Sequence, residues 1–417
     1  MDLFAGLPEP LAKAWERSLT SGRAASSRRR FLAATGAIAA GTALAGCGIP
    51  GTDDSSDKGG ATKEKGKDYS KTEKELNFSN WPLYIDVDEK DENKRPTLDR
   101  FQQETGIKVK YTEDINDNVE FFGKIQPQLA AGQDTGRDLI VVTDWMAGRF
   151  INSGWALEID QANTPNVQAN MDPRFLAAAH DRGRRYTAPW TGLSTVIAYN
   201  KKATNGKKVE SVTQLLSDSS LKGKVALLTE MRDTIGMTML DLGKDTASFT
   251  DDDFDAALAA VQKAVDSKQI RRFTGNDYIE ELSKGDIGAC LAWAGDVVQM
   301  QAENEDIEFV IPEKGYLYST DDMLIPVKAR HKANAEALIN FYYDPKNAAE
   351  AAAWINYICP LSADKVVPEL KKIDEALASD PLIVPDEAMI SKGHVFMNLA
   401  EDKASGYEDK FAKLIGA

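Results

Sequence analysis

The run Asp138-Leu-Ile-Val-Val-Thr143 constrains the fold more than any other stretch, because so short a near-continuous apolar segment reads as a strand buried on both faces. Such strands belong to parallel sheets covered by helices, and the preceding residues supply both. Glu75 to Trp81 reads as a short strand, and Thr97 to Glu104 has helical spacing that stops at Gly106. Ile107 to Tyr111 alternates like a strand, and Val119 to Ala131 is spaced as a helix despite Pro127. Strand, helix, strand, helix, strand predicts a βαβαβ unit with right-handed crossovers.

A second series follows. Arg185 to Trp190 and Thr195 to Asn200 read as extended, then come a strand at Lys224 to Thr229 and helices from about Thr234 to Leu242 and Asp252 to Ser267. Gly288 to Trp293 and Glu308 to Pro312 read as strands. Met323-Leu-Ile-Pro326 leads into helices at about Ala333 to Tyr343 and Lys346 to Tyr357, the second opened by Asp344-Pro345. The last sixty or so residues read as mostly helical. Two α/β series of similar size joined by extended crossings predict two lobes with a cleft between them, and ligands of such sheets bind beyond the carboxyl ends of the strands.

Ahead of the first strand, Ser26-Ser27-Arg28-Arg29-Arg30-Phe31-Leu32 and the small apolar run Ala33 to Gly46 form the charged and apolar regions of an export signal, too short to span a bilayer. The first resembles a twin-arginine signal, and Leu44-Ala45-Gly46-Cys47 resembles the lipobox of bacterial lipoproteins. Cys47 is thus expected to carry two or three acyl chains that anchor the protein to the outer face of the cell membrane, on the periplasmic side. Residues 1–46 are read as signal and 47–73 as a polar, Gly-rich tether. Residues 74–192 with 319–365 are read as the first lobe, and 193–318 with 366–417 as the second.

Residues 1–46 hold six Lys/Arg and three Asp/Glu, which leaves 44 basic against 62 acidic side chains in the remainder. So acidic a chain is a poor partner for nucleic acid. The charge serves solubility, or part of it faces a cationic ligand. Beyond Cys47 only Cys290 and Cys359 remain, which excludes a disulfide-dense scaffold and leaves a single bridge open. His180, His331 and His394 are scattered without Cys neighbours, so no metal site is expected, and each reads as a surface or capping residue. No cofactor is expected either, since no P-loop, dinucleotide fingerprint or HExxH occurs. Gly192-Leu-Ser-Thr-Val196 is only half of a nucleophile elbow. Glu230 and Asp233, one turn apart, do not flank a substrate as glycosidase carboxylates do. An enzyme is not expected.

Rings and carboxylates recur at the predicted strand ends: Trp81 with Tyr84, Trp145 beside Asp144, Glu230 with Asp233, Trp293 followed by Asp296, and Asp321 with Asp322. An organic cation suits this pairing, because ring faces attract ammonium groups and carboxylates accept their N–H donors. Any single Trp at a strand end is more often core than ligand cage. Asp321 or Asp322 would also suit a turn, and Asp144 reads best as an N-cap.

These residues, in this order, resemble the spermidine/putrescine-binding proteins, the extracytoplasmic receptors of polyamine ABC transporters, over about residues 75–415. Asn80-Trp81-Pro-Leu-Tyr84 is similar to the family's Asn-Trp-x-x-Tyr, and Glu104-Thr-Gly-Ile-Lys-Val109 to the segment after its first helix. Thr143-Asp-Trp145, Leu227-Leu-Thr-Glu230-Met-Arg-Asp233, Cys290-Leu-Ala-Trp293, Asp321 before Met323-Leu-Ile-Pro326, and Asn356-Tyr357 match later motifs. The resemblance implies a type II periplasmic-binding-protein fold, a monomer that closes by hinge motion and delivers a polyamine to an ABC permease. It further implies that Trp81, Tyr84 and Trp293 hold the methylene chain, that Thr143, Trp145 and Tyr357 line the cleft, and that Glu230, Asp233 and Asp321 take the amines. The chain departs from the pattern at Leu83, where a carboxylate is frequent and for which Asp86 is a substitute, and at Ser319, where an aromatic is frequent. The runner-up readings are another cationic or amino-bearing solute in the same fold, and a lipid-anchored surface enzyme.

Overall fold

The first βαβαβ unit forms for the reasons its residues give. Helix α1 (Pro96–Thr105) begins on a proline whose fixed φ suits the first turn and ends at Gly106, whose φ of 72° is left-handed. Helix α2 (Asn118–Ala130) is capped by the Asp117 carboxylate, which accepts from the backbone N–H groups of Val119 and Glu120. It runs through Pro127 and buries Phe121, Ile125 and Leu129. Strand β3 (Leu139–Thr143) has its four apolar residues fully buried, each stabilising the fold by roughly 1.5–3 kcal/mol. It lies parallel to β1 (Glu75–Asn80), which in turn pairs parallel with β2 (Lys108–Glu113).

This computed structural model describes residues 66–416 except Glu89 and Glu92. The export signal, the lipobox and Cys47 lie outside the described residues. Ten strands join in one sheet, in the order β2-β1-β3-β9-β4-β7-β5-β6, with β8 and β10 pairing from the side onto β4 and β9. The remaining strands are β4 (Thr187–Asn200), β5 (Val225–Leu228), β6 (Ile270–Thr274), β7 (Ala289–Trp293), β8 (Ile307–Val310), β9 (Tyr316–Leu324) and β10 (Gly393–His394). The helices that bear on the site are α3 (Asp144–Asn152), α4 (Met231–Asp241), α5 (Asp251–Asp266), α6 (Ala294–Gln301), α7 (Lys332–Tyr342), α8 (Pro345–Ile355) and α9 (Glu401–Ile415).

The two extended pieces expected around Trp190 are a single strand. The 14 residues of β4 pair with β9 from Thr187 to Thr195 and with β7 from Thr195 to Tyr199, so that β4 and β9 run from one α/β series into the other. Pro189 has no N–H to donate, and the register shifts between Pro189 and Thr191, leaving Trp190 as a bulge. A third connection crosses beside them: Gly192 donates its N–H to the Ile358 carbonyl at 2.9 Å and accepts from the Ile358 N–H at 3.2 Å. A Cβ at Gly192 would lie 3.0 to 3.1 Å from the Tyr318 ring and Ile358 Cβ, so the close approach of these strands favours glycine.

Several expectations change in three dimensions. Residues 66–73, read as tether, dock on the first series: the Asp68 carboxylate accepts from Ser70 and from the Ala333 N–H, and the Arg330 guanidinium lies 4.7 Å from the Tyr69 ring. At the other end, residues 363–384 do not join the second series. They pack against α8, with the Cys359 N–H bonded to the Ile383 carbonyl at 2.9 Å. Helix α9 does join it, stacking Tyr407 on Phe254 of α5 at 3.9 Å. His331 is buried and His180 half-buried, and both are held by carboxylates rather than facing solvent. His331 bridges the carboxylates of Asp138 and Glu73, and His180 meets Asp322 at 2.6 Å. Cys290 and Cys359 are both free and buried, and burial pushes the Cys359 thiol up to about 12. No helix among the described residues is long and apolar enough to cross a membrane.

Candidate functional site

Where β3, β9 and β4 run side by side, the two-residue period of a strand aims alternate side chains at one face. Asp321 sits in register between Thr143 of β3 and Thr191 of β4, and Ser319 lies opposite Leu193. Two residues on, Thr195 faces Trp293 at the end of β7. This face is the floor of a cavity of ≈ 370 Å³, its open mouth included, lined by Trp81, Pro82, Tyr84, Thr143, Leu193, Asp233, Asn276, Trp293, Asp296, Ser319, Asp321 and Tyr357. The cavity draws on both series, since Trp81 follows β1 and Thr143 ends β3, whereas Asp233 follows β5 and Trp293 ends β7.

The rings hold one another edge to face. Trp81 meets Trp293 at 6.0 Å across the two series, and Tyr84 meets Tyr357 at 5.0 Å. The Trp81 indole N–H donates to the Val141 carbonyl at 3.1 Å, which fixes the ring and leaves its faces to the cavity and its neighbours.

Three carboxylates complete the lining, and each accepts only from neutral donors. Asp321 takes the Thr143 hydroxyl at 2.8 Å on one oxygen and the Tyr84 hydroxyl at 2.8 Å on the other. Asp233 takes the Thr195 hydroxyl at 2.5 Å and, at 3.4 Å, the Trp293 indole N–H. Asp296 takes Tyr357, Tyr278 and Asn276 at 2.7 Å each. Among the described residues none of the three forms an ion pair with Lys, Arg or His. Burial in this dry setting raises Asp321 to about 7, and Asp233 and Asp296 to about 6. The next residue along β9, Asp322, faces the other side of the sheet, where Arg184 and His180 hold it down at about 2 against its burial.

Seven of the nine residues assigned to the ligand from sequence therefore line one cavity: Trp81, Tyr84, Thr143, Asp233, Trp293, Asp321 and Tyr357. Trp145 and Glu230 do not. The Arg232 guanidinium lies 3.8 Å from the Trp145 ring, with Arg149 at 5.6 Å. One oxygen of Glu230 accepts from the backbone N–H and side-chain amide of Asn118, at the start of α2, at 3.1 and 2.8 Å. Asp86, the suggested substitute for a carboxylate at position 83, is spent on capping α1 through the Thr97 N–H and hydroxyl. Leu83 itself has a φ of 58° and packs against the core. Asp144 is one residue too late to be the cap of α3, a position Thr143 holds, and bonds the Trp145 N–H instead.

The chain carries the signature of a known family. Residues 97–383 match the model of the bacterial extracellular solute-binding proteins. The chain belongs to this family. A relative from Salmonella typhimurium, a spermidine/putrescine-binding periplasmic protein, is 26% identical over 81% of this chain and 91% of its own. The putrescine-binding periplasmic protein PotF of Escherichia coli is 30% identical over 68% of this chain and 77% of its own. The structure of a spermidine/putrescine ABC transporter protein from Listeria monocytogenes superimposes with a TM-score of 0.69 at 26% identity, covering 82% of this chain and 98% of that one. The solute-binding protein thus has the type II periplasmic-binding-protein fold, with two α/β lobes, a ligand cleft and hinge crossings at β4, β9 and Ile358.

Within this cleft the sequence pointed to Asp296 only through its nearness to Trp293, and it gave no signal for Asn276 or Leu193. Asp296 reaches the cavity from the first turn of α6, where Gly295 makes room for the Tyr357 ring. A Cβ at Gly295 would stand 2.2 Å from that ring. Gly295→Ala is therefore expected to push Tyr357 off Asp296 and to destabilise the solute-binding protein by about 1–3 kcal/mol, read as a lowered thermal midpoint. Ligand affinity measured by titration is expected to fall with it.

Proposed function

We propose that this solute-binding protein is the receptor of a polyamine ABC transporter, binding a spermidine- or putrescine-type cation in the cavity at the lobe crossing and handing it to a membrane permease. The observation that carries this reading is the trio Asp233, Asp296 and Asp321, gathered in one cavity, the last two fully buried and Asp233 half-buried, with no salt bridge from any of the three to a Lys, Arg or His among the described residues and with the rings of Trp81 and Trp293 beside them. Burying carboxylates unpaired is costly, and an ammonium ligand relieves the cost while the ring faces take its charge and methylenes. The names of the relatives from Salmonella and Escherichia coli support the same solute class. In this reading Trp81, Tyr84, Trp293 and Tyr357 clasp the chain of the amine, Thr143 orients Asp321, and the three aspartates take the ammonium groups. The first lobe comprises residues 74–192 with 319–384, and the second residues 193–318 with 386–415. The protein works as a monomer without catalysis, anchored through a lipidated Cys47 on the outer face of the cell membrane.

Calorimetric titration with putrescine, spermidine and a neutral sugar tests the reading. Saturable one-to-one binding of an amine, and none of the sugar, is expected. Heat with neither amine would sink the polyamine assignment and leave another amino-bearing solute in the same cleft.

A further inference from the structure

The residues that lead into α2 meet the second lobe directly. In the sheet order β2 and β6 stand at opposite ends, so the segments that follow them touch only where the two lobes have folded toward each other over the cleft. They do touch. Shortly after β6, the Asn276 N–H donates at 3.3 Å to the carbonyl of Asn116, shortly after β2. Beside this pair the Thr229 hydroxyl, next to β5, donates to the Asp117 carboxylate at 2.6 Å. One oxygen of Glu230 accepts both the backbone N–H and the side-chain amide of Asn118, at 3.1 and 2.8 Å. Gly275 approaches so closely that a Cβ there would stand 2.5 Å from the Asn116 carbonyl oxygen.

Each side of this contact leads to a carboxylate of the cavity within one or two hydrogen bonds. On the first lobe, the Asn118 amide also donates to the Thr143 hydroxyl oxygen at 2.8 Å and accepts from the Thr143 N–H at 3.1 Å, and that hydroxyl donates to Asp321. On the second, the Asn276 amide donates to Asp296 at 2.7 Å. Glu230 itself does not line the cavity. Burial, and after it the carboxylates of Asp117 and Asp233, push its carboxyl well above the ordinary range.

We propose that Glu230 and Asn118 are positioning residues that clasp the two lobes over the bound amine and hold Thr143 against Asp321, and that Glu230 does this without touching the ligand. The inference rests on the polyamine reading above and deepens it. Contacts made only when the lobes are together stabilise that state alone, so they slow the escape of the ligand and leave its entry into the open cleft unchanged. What the clasp takes from Glu230 is an acceptor oxygen, and a glutamine offers the same oxygen in the same place.

The test is stopped-flow binding of putrescine, followed by the fluorescence of the cavity tryptophans, on the unaltered protein and on its Glu230→Ala, Glu230→Gln and Gly275→Ala variants. Glu230→Ala is expected to speed dissociation roughly tenfold or more while association changes by less than about threefold, and Glu230→Gln to recover all but about threefold of that loss. Gly275→Ala adds its methyl against the opposite lobe and away from the cavity lining, and it should speed dissociation in the same way. A Glu230→Gln variant as weak as Glu230→Ala would overturn the inference, because the carboxylate charge would then be meeting the amine. So would slowed association in place of faster dissociation, or a Gly275→Ala variant that releases putrescine at the unaltered rate. Glu230→Gln and Gly275→Ala decide the matter even if Glu230→Ala does not fold. Failure of the unaltered protein to bind any amine would overturn the inference together with the reading beneath it, whereas the other outcomes leave that reading intact.

Discussion

Asp321→Asn is expected to lower amine affinity by roughly 100-fold or more while making the ligand-free protein more stable at neutral pH. Removing one partner of a buried charged pair costs about 3–5 kcal/mol, which sets the size of the binding loss. The amide keeps the shape of the site. Its oxygen accepts from the Thr143 hydroxyl as the carboxylate did, and its NH2 donates to the Tyr84 hydroxyl, which then turns its own proton to Thr191 at 2.7 Å. The gain in stability follows from burial. With Asp321 only 2% exposed and raised to about 7, ionising it in the folded state withholds on the order of 4 kcal/mol that the amide does not. Titration calorimetry and thermal melting of the same sample read both effects. Opposite signs in the two measurements separate a binding role from damage to the fold, and an unchanged affinity would take Asp321 out of the site.

Acidification is expected to have the second large effect, again with opposite signs for binding and for stability. The amine needs ionised carboxylates, so lowering the pH from 8 to 5 protonates Asp321 and weakens binding on the order of 100-fold through this residue alone, with Asp233 and Asp296 adding to it. In the ligand-free protein the folded state holds these protons more tightly than the unfolded chain. The stability they contribute is fully present below the unfolded carboxylate value near 4 and is lost as pH rises through 6 to 7. His180 and His331, raised by their carboxylate partners, act in the same direction. The thermal midpoint of the ligand-free protein should therefore be higher at pH 5.5 than at pH 8, and saturating amine should flatten or reverse that trend. Proton release on binding near pH 6.5, read from titrations in buffers of different ionisation enthalpy, gives an independent check.

How far the site was legible depends on what each residue needs from its neighbours. Trp81, Thr143 and Trp293 lie at or just past the ends of strands whose apolar runs are self-evident, so the rule that ligands sit beyond strand ends was enough to find them. Asp321 was marked as one of the carboxylates recurring near strand ends and by the family motif before Met323-Leu-Ile-Pro326, although β9 alternates too little to read as a strand before Met323. Strand β6, Ile-Arg-Arg-Phe-Thr, had no readable period at all. It forms because β5 offers it an edge, and it carries the chain toward Asn276.

By itself the sequence determined the α/β alternation, the two-lobed fold and the residue types of the site, because these depend on local spacing and on apolar runs that only a covered sheet can bury. Tertiary structure decided which of those residues share a cavity. Trp145 and Glu230 have the right chemistry for an amine. Folding nevertheless brings Arg232 onto the ring of the one and the amides of Asn118 onto the carboxylate of the other, while Asp296 arrives from a helix start to take a place among the cavity carboxylates. Spacing along a chain sets the direction of a side chain within its own element. Only the packing of two lobes against each other sets what that side chain meets.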